Sequence, residues 1–310
     1  MLILNTLAPV FLLIALGVFL QRRGVVSRGF LTEANKLSYW VGLPSLLFID
    51  TLEASPHLGA AKPILEVVLG ACAGAILLGY LLSPLLRIEP RAVGTFVQAC
   101  FRGNLAFIGL PVIYAFPEAH LAGGLSLRAA AILVIGPSMV AYNVVGVIVL
   151  LFSQNALGPG WGRALVKQLL TTPPLIATAA GIACAQARVS VPQAVSDTFH
   201  TLGNLAFPLG LLGIGGALAS LDWRASRRNA LSAALVKTAF APVLGYAVGR
   251  RLGLSPLELK TALIFLAAPT AIISYPMVVE LKGDTALAAS AIALSVLTSI
   301  PSLMIVIGWI

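Results

Sequence analysis

The sequence predicts an all-α polytopic membrane protein of ten transmembrane helices, and three observations predict it. Of its 310 residues, 59% are hydrophobic and 10% charged, where a soluble domain carries about a quarter charged residues. Apolar stretches of roughly 20 residues, enough to cross about 30 Å of hydrocarbon, recur along the whole chain with short connections. Prolines and glycines recur at a nearly constant separation, so the chain reads as two copies of one five-span pattern.

The spans fall near 2–20, 31–52, 64–86, 91–115, 129–152, 164–186, 196–220, 229–249, 257–279 and 285–309. No stretch is polar or long enough for a separate soluble domain. Segment 1 is expected to remain in the protein rather than act as a cleaved signal peptide. No positive charge precedes it, and Arg22-Arg23 follow it instead. The net charge of +9, from 20 Lys+Arg against 11 Asp+Glu, invites a nucleic-acid reading. Basic loops explain it better. The loops after segments 1, 3, 5, 7 and 9 hold twelve Lys and Arg and the other loops six, with Arg102 and Lys237 inside spans. The positive-inside bias then puts both termini on the extracytoplasmic side of a cytoplasmic (inner) membrane. Cys72, Cys100 and Cys184 fall within spans without ligand spacing and read as small buried hydrophobes. No metal, cofactor or nucleic acid is expected as a partner; the lipid bilayer is.

The repeat rests on matched punctuation. Pro9 and Pro173, Gly17 and Gly181, Pro44 and Pro208, and Pro137 and Pro301 are each 164 residues apart. Pro111 and Pro276 are 165 apart, and Pro90 and Pro256 are 166 apart. One matched proline means little in a chain with 19, but five proline pairs in one order are hard to obtain by chance. Residues 1–153 form the first copy, 154–163 a linker rich in turn formers, and 164–310 the second. Five spans is an odd number, so the second copy enters from the opposite side and the repeat is inverted.

In each copy the fourth span is interrupted. Segment 4 contains Phe101-Arg102-Gly103-Asn104-Leu105-Ala106-Phe107-Ile108-Gly109-Leu110-Pro111, where Gly103 and Gly109 weaken a helix and Pro111 removes a donor. Segment 9 contains Ala267-Ala268-Pro269-Thr270-Ala271-Ile272-Ile273-Ser274-Tyr275-Pro276, where Pro269 and Pro276 do the same. Backbone groups left bare in hydrocarbon cost several kcal/mol each, so broken helices persist only inside protein or beside a watery cavity. Two interrupted spans in corresponding places point to a transporter's binding site, with the two breaks crossing near the bilayer midplane.

Asn104 offers two donors and an acceptor. It either meets a substrate carboxylate or carbonyl, or caps the broken half-helix from within; substrate contact, alone or combined with capping, is the expectation. Thr270 matches it in the second copy, and Ser274 lies one turn on; each by itself reads as a hydroxyl bonded to its own helix. Arg102 and Lys237 are costly inside a membrane and so are functional candidates. Both lie about nine to eleven positions into their spans, roughly 15 Å at 1.5 Å per residue. They form either an inward-facing funnel for anions or, for Lys237 equally, a brace on freed carbonyls; snorkelling to the interface is the further alternative. Tyr142 is placed to line an aromatic-sized pocket, and Asn143 to bond a neighbouring helix. No acidic residue lies in mid-span. Asp50 and Glu53, one turn apart, form either a shallow cation or proton site or, the better expectation, a solvated helix end. His57, His120 and His200 read as interfacial.

Asn104 to Pro111, continuing Val112-Ile113-Tyr114-Ala115, resembles the segment-4 Asn-x6-Pro pattern of the auxin efflux carrier family, which includes plant PIN proteins and bacterial homologues. Ala268-Pro269-Thr270-Ala271-Ile272 with Pro301 resembles its segments 9 and 10, and Gly42-Leu43-Pro44-Ser45-Leu46-Leu47-Phe48 its segment 2. The resemblance covers nearly the whole chain. It implies a sodium/proton-antiporter-like fold, often dimeric, with segments 1, 2, 6 and 7 as scaffold and 3–5 and 8–10 as transport domain. Asn104, Pro111 and Pro276 carry over as positions at the crossing; Thr270 stands where plant members tend to have Gln, which leaves the substrate open. It further implies export or exchange of small organic anions such as auxin-like or other carboxylates.

The leading expectation is therefore a secondary transporter of such anions, working by an elevator-like shift. Proton- or sodium-coupled uptake of a dicarboxylate is the related alternative. A non-transporting membrane sensor is the alternative of another class, though it has no use for two symmetric broken helices. An enzyme is not expected, because no nucleophile–base pair, paired acids or metal ligands occur at depth.

Overall fold

The computed structural model describes residues 2–54, 59, 61–117, 119–121, 124–154, 161–220 and 226–309. His57, Glu118, Asp222, Arg224 and most of the 154–163 linker lie outside the described residues. The described residues are mainly helical, and among them the only β pairings are two isolated bridges, Gly103 with Thr270 and His120 with Ser126.

The helices follow in order: α1 Leu2–Arg22, α2 Arg28–Leu37, α3 Leu43–Ala54, α4 Lys62–Leu85, α5 Val93–Phe101, α6 Leu110–Tyr114, α7 Leu127–Ser153 and α8 Trp161–Leu170. Then come α9 Pro173–Gln186, α10 Gln193–Gly203, α11 Ala206–Ser220, α12 Arg227–Leu235, α13 Ala241–Arg251, α14 Pro256–Ala267, α15 Ser274–Glu280 and α16 Thr285–Trp309. Three π turns join neighbouring helices, at Ser38–Gly42, Leu105–Gly109 and Val236–Phe240. Each ends two residues before a proline: Pro44, Pro111 and Pro242. A helical proline lacks its donor and its ring clashes with the carbonyl four residues back. Widening the preceding turn moves that carbonyl out of the way.

Among the described residues, five helical runs are long and apolar enough to cross a membrane: Lys62–Leu85, Leu127–Ser153, Gln193–Ser220, Arg227–Arg251 and Thr285–Gly308. They coincide with segments 3, 5, 7, 8 and 10. The other apolar segments are shorter or interrupted. Segment 2 is charged through α2, segment 6 is cut at Thr171-Thr172, and segments 4 and 9 are broken near their middles.

The chain divides into two compact units. The first comprises residues 1–62, 106–139 and 169–220, the second residues 63–105, 140–168 and 221–310. Within each, residues matched in the sequence play matched parts. In the first unit, a Cβ on Gly181 would stand 2.7 Å from the Phe48 carbonyl oxygen, and one on Gly17 would collide with that of Leu212. Gly17 and Gly181 are 164 apart, and so are Phe48 and Leu212. In the second unit, Gly79 faces Val97 and Cys100 while Gly245 faces Leu263 and Leu266, each pair displaced by 166.

The helix ends repeat too. Gly24 (φ 69°) and Arg188 (φ 51°) both stop a helix in the left-handed conformation, and the next residues, Val25 and Val189, donate back to Leu20 and Cys184. Arg87 (φ 55°) and Gly253 (φ 73°) do likewise, with Ile88 and Leu254 donating to Ser83 and Gly249. These backward bonds satisfy carbonyls that a helix end leaves bare.

The close approaches at Gly17 and Gly181 are testable. Ala at either position is expected to lower the thermal midpoint of the purified protein, because overpacking costs about 1–3 kcal/mol. Gly70, with nothing within 4 Å of where a Cβ would lie, is the control. There Ala is expected to leave the midpoint unchanged or raise it, through helix propensity alone.

Candidate functional site

The interruptions of segments 4 and 9 lie together in the second unit up to residue 105. Helix α5 ends at Phe101, and Arg102 is extended with φ −76° and ψ 94°. Helix α14 ends at Ala267, and Ala268 is extended with φ −59° and ψ 142°. The two extended stretches run antiparallel and exchange two backbone hydrogen bonds. The Asn104 N–H donates to the Pro269 carbonyl at 2.7 Å, and the Ala271 N–H to the Arg102 carbonyl at 2.9 Å. The pairing centres on Gly103 and Thr270. Gly103 is needed there, since a Cβ would stand 2.9 Å from Lys237 Cε.

The carbonyls at the ends of α5 and α14 have lost their helical donors, and side chains replace them. Lys237, fully buried, donates through Nζ to the Leu266 carbonyl and, at 3.5 Å, to that of Phe265. The Thr270 hydroxyl donates to the Ala99 carbonyl at 2.9 Å, while the Ser295 hydroxyl receives the Thr270 N–H at 2.9 Å. Each helix C-terminus carries roughly half a negative charge. The Lys237 ammonium therefore sits where the dipole of α14 favours it. These bonds are of the kind expected of a brace on freed carbonyls.

Arg102, 4% exposed, turns its guanidinium away from those carbonyls. One nitrogen, Nη2, donates to Asn143 Oδ1 at 2.6 Å; the other, Nη1, to the Met277 sulfur at 3.0 Å. Gln98 Nε2 donates to the same sulfur at 3.0 Å. Asn104, the last residue of the break, is buried. Tyr142 shares a 3.2 Å hydrogen bond with Cys72 Sγ and meets the Phe101 ring edge-on at 5.9 Å. Ser274 opens α15, and its buried hydroxyl has no hydrogen-bond partner among the described residues.

The prolines stand just beyond the breaks rather than in them. Pro111 lies in the first turn of α6 and Pro276 in the first turn of α15, where a missing N–H leaves nothing unsatisfied. Pro269 is part of the extended pairing, and Gly109 closes the π turn before α6. The chain breaks at Arg102–Asn104 and Ala268–Ile273, upstream of both helix-starting prolines.

Sequence reasoning missed Gln98 and Met277. Gln98 was findable: it is a polar residue one helical turn before Arg102, on the same face of an apolar helix. Met277 carried no signal. A polar group also formed at Asp50, in the first unit, where the expected solvated helix end is only half-buried. The Tyr114 hydroxyl donates to Asp50, and Arg128 donates to the Tyr114 carbonyl at 3.0 Å with its guanidinium 5.2 Å from that ring. His200 lies 3.7 Å from Glu53.

Lys237→Met is expected to expose the Phe265 and Leu266 carbonyls to an apolar interior, at about 1–3 kcal/mol for each unsatisfied group. The thermal midpoint should fall, and amide exchange around residues 266–268 should accelerate. An unchanged midpoint together with weakened anion binding would instead assign Lys237 to the substrate.

Comparison with known proteins adds to this geometry. The model of the membrane transport protein family matches residues 2–156 and 162–307. The chain is 21% identical to an uncharacterized transporter of Methanocaldococcus jannaschii over 97% of its own length and 96% of the relative's. It is 22% identical to an uncharacterized transporter of Methanothermobacter thermautotrophicus, over 96% and 95% respectively. With its long apolar helices and a family match over nearly its whole length, the chain is a multi-pass membrane protein that belongs to the membrane transport protein family, the family of the auxin efflux carriers.

Proposed function

We propose that the protein is a secondary transporter that exports or exchanges small organic anions, auxin-like or other carboxylates. The observation that carries this reading is the paired interruption of segments 4 and 9, into which Arg102, Asn104 and Ser274 bring donors while the chain brings no mid-span carboxylate. Family membership supports transport as such.

The architecture we propose has ten membrane segments in two inverted copies, 1–153 and 164–310 joined by 154–163, with both termini extracytoplasmic in the inner membrane. The swapped contacts Gly17–Leu212 and Gly181–Phe48, related by a displacement of 164, support the two-fold relation. Segments 1, 2, 6 and 7 serve as scaffold, also the face for a homodimer, and segments 3–5 and 8–10 shift against them like an elevator. Asn104, Thr270, Ser274, Tyr142 and Arg102 contact the substrate or shape its site, with Gly103, Gly109, Pro111, Pro269 and Pro276 setting the crossing. The membrane potential alone drives efflux of a monovalent anion. One charge across 100 mV is worth about 2.3 kcal/mol, a gradient of roughly fifty-fold.

A second reading, proton-coupled uptake of a dicarboxylate, draws support from Asp50. A half-buried carboxylate hydrogen-bonded by a phenol is suited to take and release a proton. The two readings part in proteoliposomes. With carboxylate loaded inside, an imposed inside-negative potential is expected to accelerate efflux without any ion gradient. Asn104→Ala is expected to cut that flux about ten-fold or more, since a hydrogen bond to a charged group is worth about 1.5–3 kcal/mol. Flux that ignores the potential but follows a pH gradient, and loses that dependence in Asp50→Asn, would replace the first reading with the second. Unchanged flux in Asn104→Ala would remove Asn104 from the site.

A further inference from the structure

Gln98 and Arg102 lie one turn apart at the end of α5 and aim two donors at a single point. Both nitrogens are 3.0 Å from the Met277 sulfur. A thioether is a weak acceptor, and a guanidinium and a carboxamide sharing one is a poor exchange for a charged oxygen. Gly146, on α7, is the third wall. A Cβ there would stand 2.9 Å from Gln98 Nε2, 3.2 Å from Arg102 Nη1 and 3.4 Å from the sulfur. The place where the donors converge is thus kept free of a side chain on the side of α7. Asn143, one turn before Gly146 on the same helix, holds the other guanidinium nitrogen at 2.6 Å and so fixes the fork's direction. Gln98, Arg102, Asn143 and Met277 are all buried, so the donors are desolvated before any ligand arrives.

We propose that Gln98, Arg102 and Gly146 form a carboxylate-binding subsite that the Met277 thioether plugs in the substrate-free protein. Methionine suits the part. Its unbranched chain changes rotamer at little cost, and it lies against an apolar cluster of Val147, Leu150, Val278 and Ala288. When Met277 swings away, a carboxylate oxygen takes its place and receives two hydrogen bonds, one of them charge-assisted. Because Met277 belongs to α15, binding at this point also reports on the second half of segment 9. The proposal rests on the anion-carrier reading and adds to it the atoms that meet the anion.

The experiment is a stability titration of the full-length protein with acetate, benzoate and malonate at ionic strength held constant with potassium chloride. The wild type is expected to be stabilised saturably by at least one of them. Met277→Leu keeps the volume and removes the competing acceptor, so it should lower the half-saturating concentration about three- to ten-fold. A residue that merely packs would not give a gain. Gln98→Met should raise that concentration about five-fold or more, and Gly146→Ala, which crowds only the far ends of flexible side chains, should raise it too. If Met277→Leu weakens binding, or if all three variants titrate like the wild type, the subsite is overturned while the carrier reading stands on its flux assay. If no carboxylate stabilises the wild type and none is transported, subsite and anion reading fall together.

Discussion

A helix broken inside an apolar protein must find partners for the backbone groups it releases, and that requirement organises the second unit. The two hydrogen bonds between Asn104 and Pro269 and between Ala271 and Arg102 turn two separate breaks into one joint. Either break alone would leave donors and acceptors facing hydrocarbon, at several kcal/mol each. Together they pair with each other, and the Lys237 ammonium and the Thr270 and Ser295 hydroxyls bond further backbone groups at the joint. Helices α4, α7, α12 and α16 pack around the joint, and Gly146 of α7 lets that helix come close to Gln98 and Arg102.

The joint has an electrostatic consequence. Helices α5 and α14 both end at it, so two negative helix termini converge where no carboxylate is needed to attract a cation. Lys237 answers one of these termini directly. Arg102 does not: an amide and a thioether are among the partners of its guanidinium. The two buried cations, alike in the sequence, are thus held in different ways.

Much of this was legible in the sequence. Helical class and the interrupted segments were both written in composition and in the placing of Pro and Gly, because hydrocarbon leaves few ways to arrange a backbone. The positions of the breaks were less legible. Pro111 and Pro276 look like breakers, yet they begin helices; the breaks fall at Arg102–Asn104 and Ala268–Ile273, where the extended strands pair with each other, a long-range choice that local propensity does not encode. Ten spans were expected, while among the described residues five helical runs have the length and apolarity to cross a membrane. Window-based reading runs straight through a π turn or a short cut such as Thr171-Thr172. Met277 and the Asp50–Tyr114–Arg128 group were invisible for another reason. Their parts depend on partners 14 to 179 residues away, and neither periodicity nor motif records such pairings.

The repeat also explains why its imperfections matter. Two equal inverted copies would give inward- and outward-open arrangements of equal energy, since one is the other seen from the opposite side. Whatever differs between the copies sets the balance. Here the backbone frame is matched and the charge is not. With the 166-residue displacement defined by Gly79 and Gly245, Arg102 corresponds to Ala268 and Lys237 to Ala71. Both cations stand in for alanines of the other copy, on the same side of the pairing by the loop-charge orientation. On the anion-carrier reading proposed above, the matched frame would supply the two states, and the unmatched cations would make one of them the better host for an anion. Such a carrier would draw its direction from a few side chains laid over a repeated backbone.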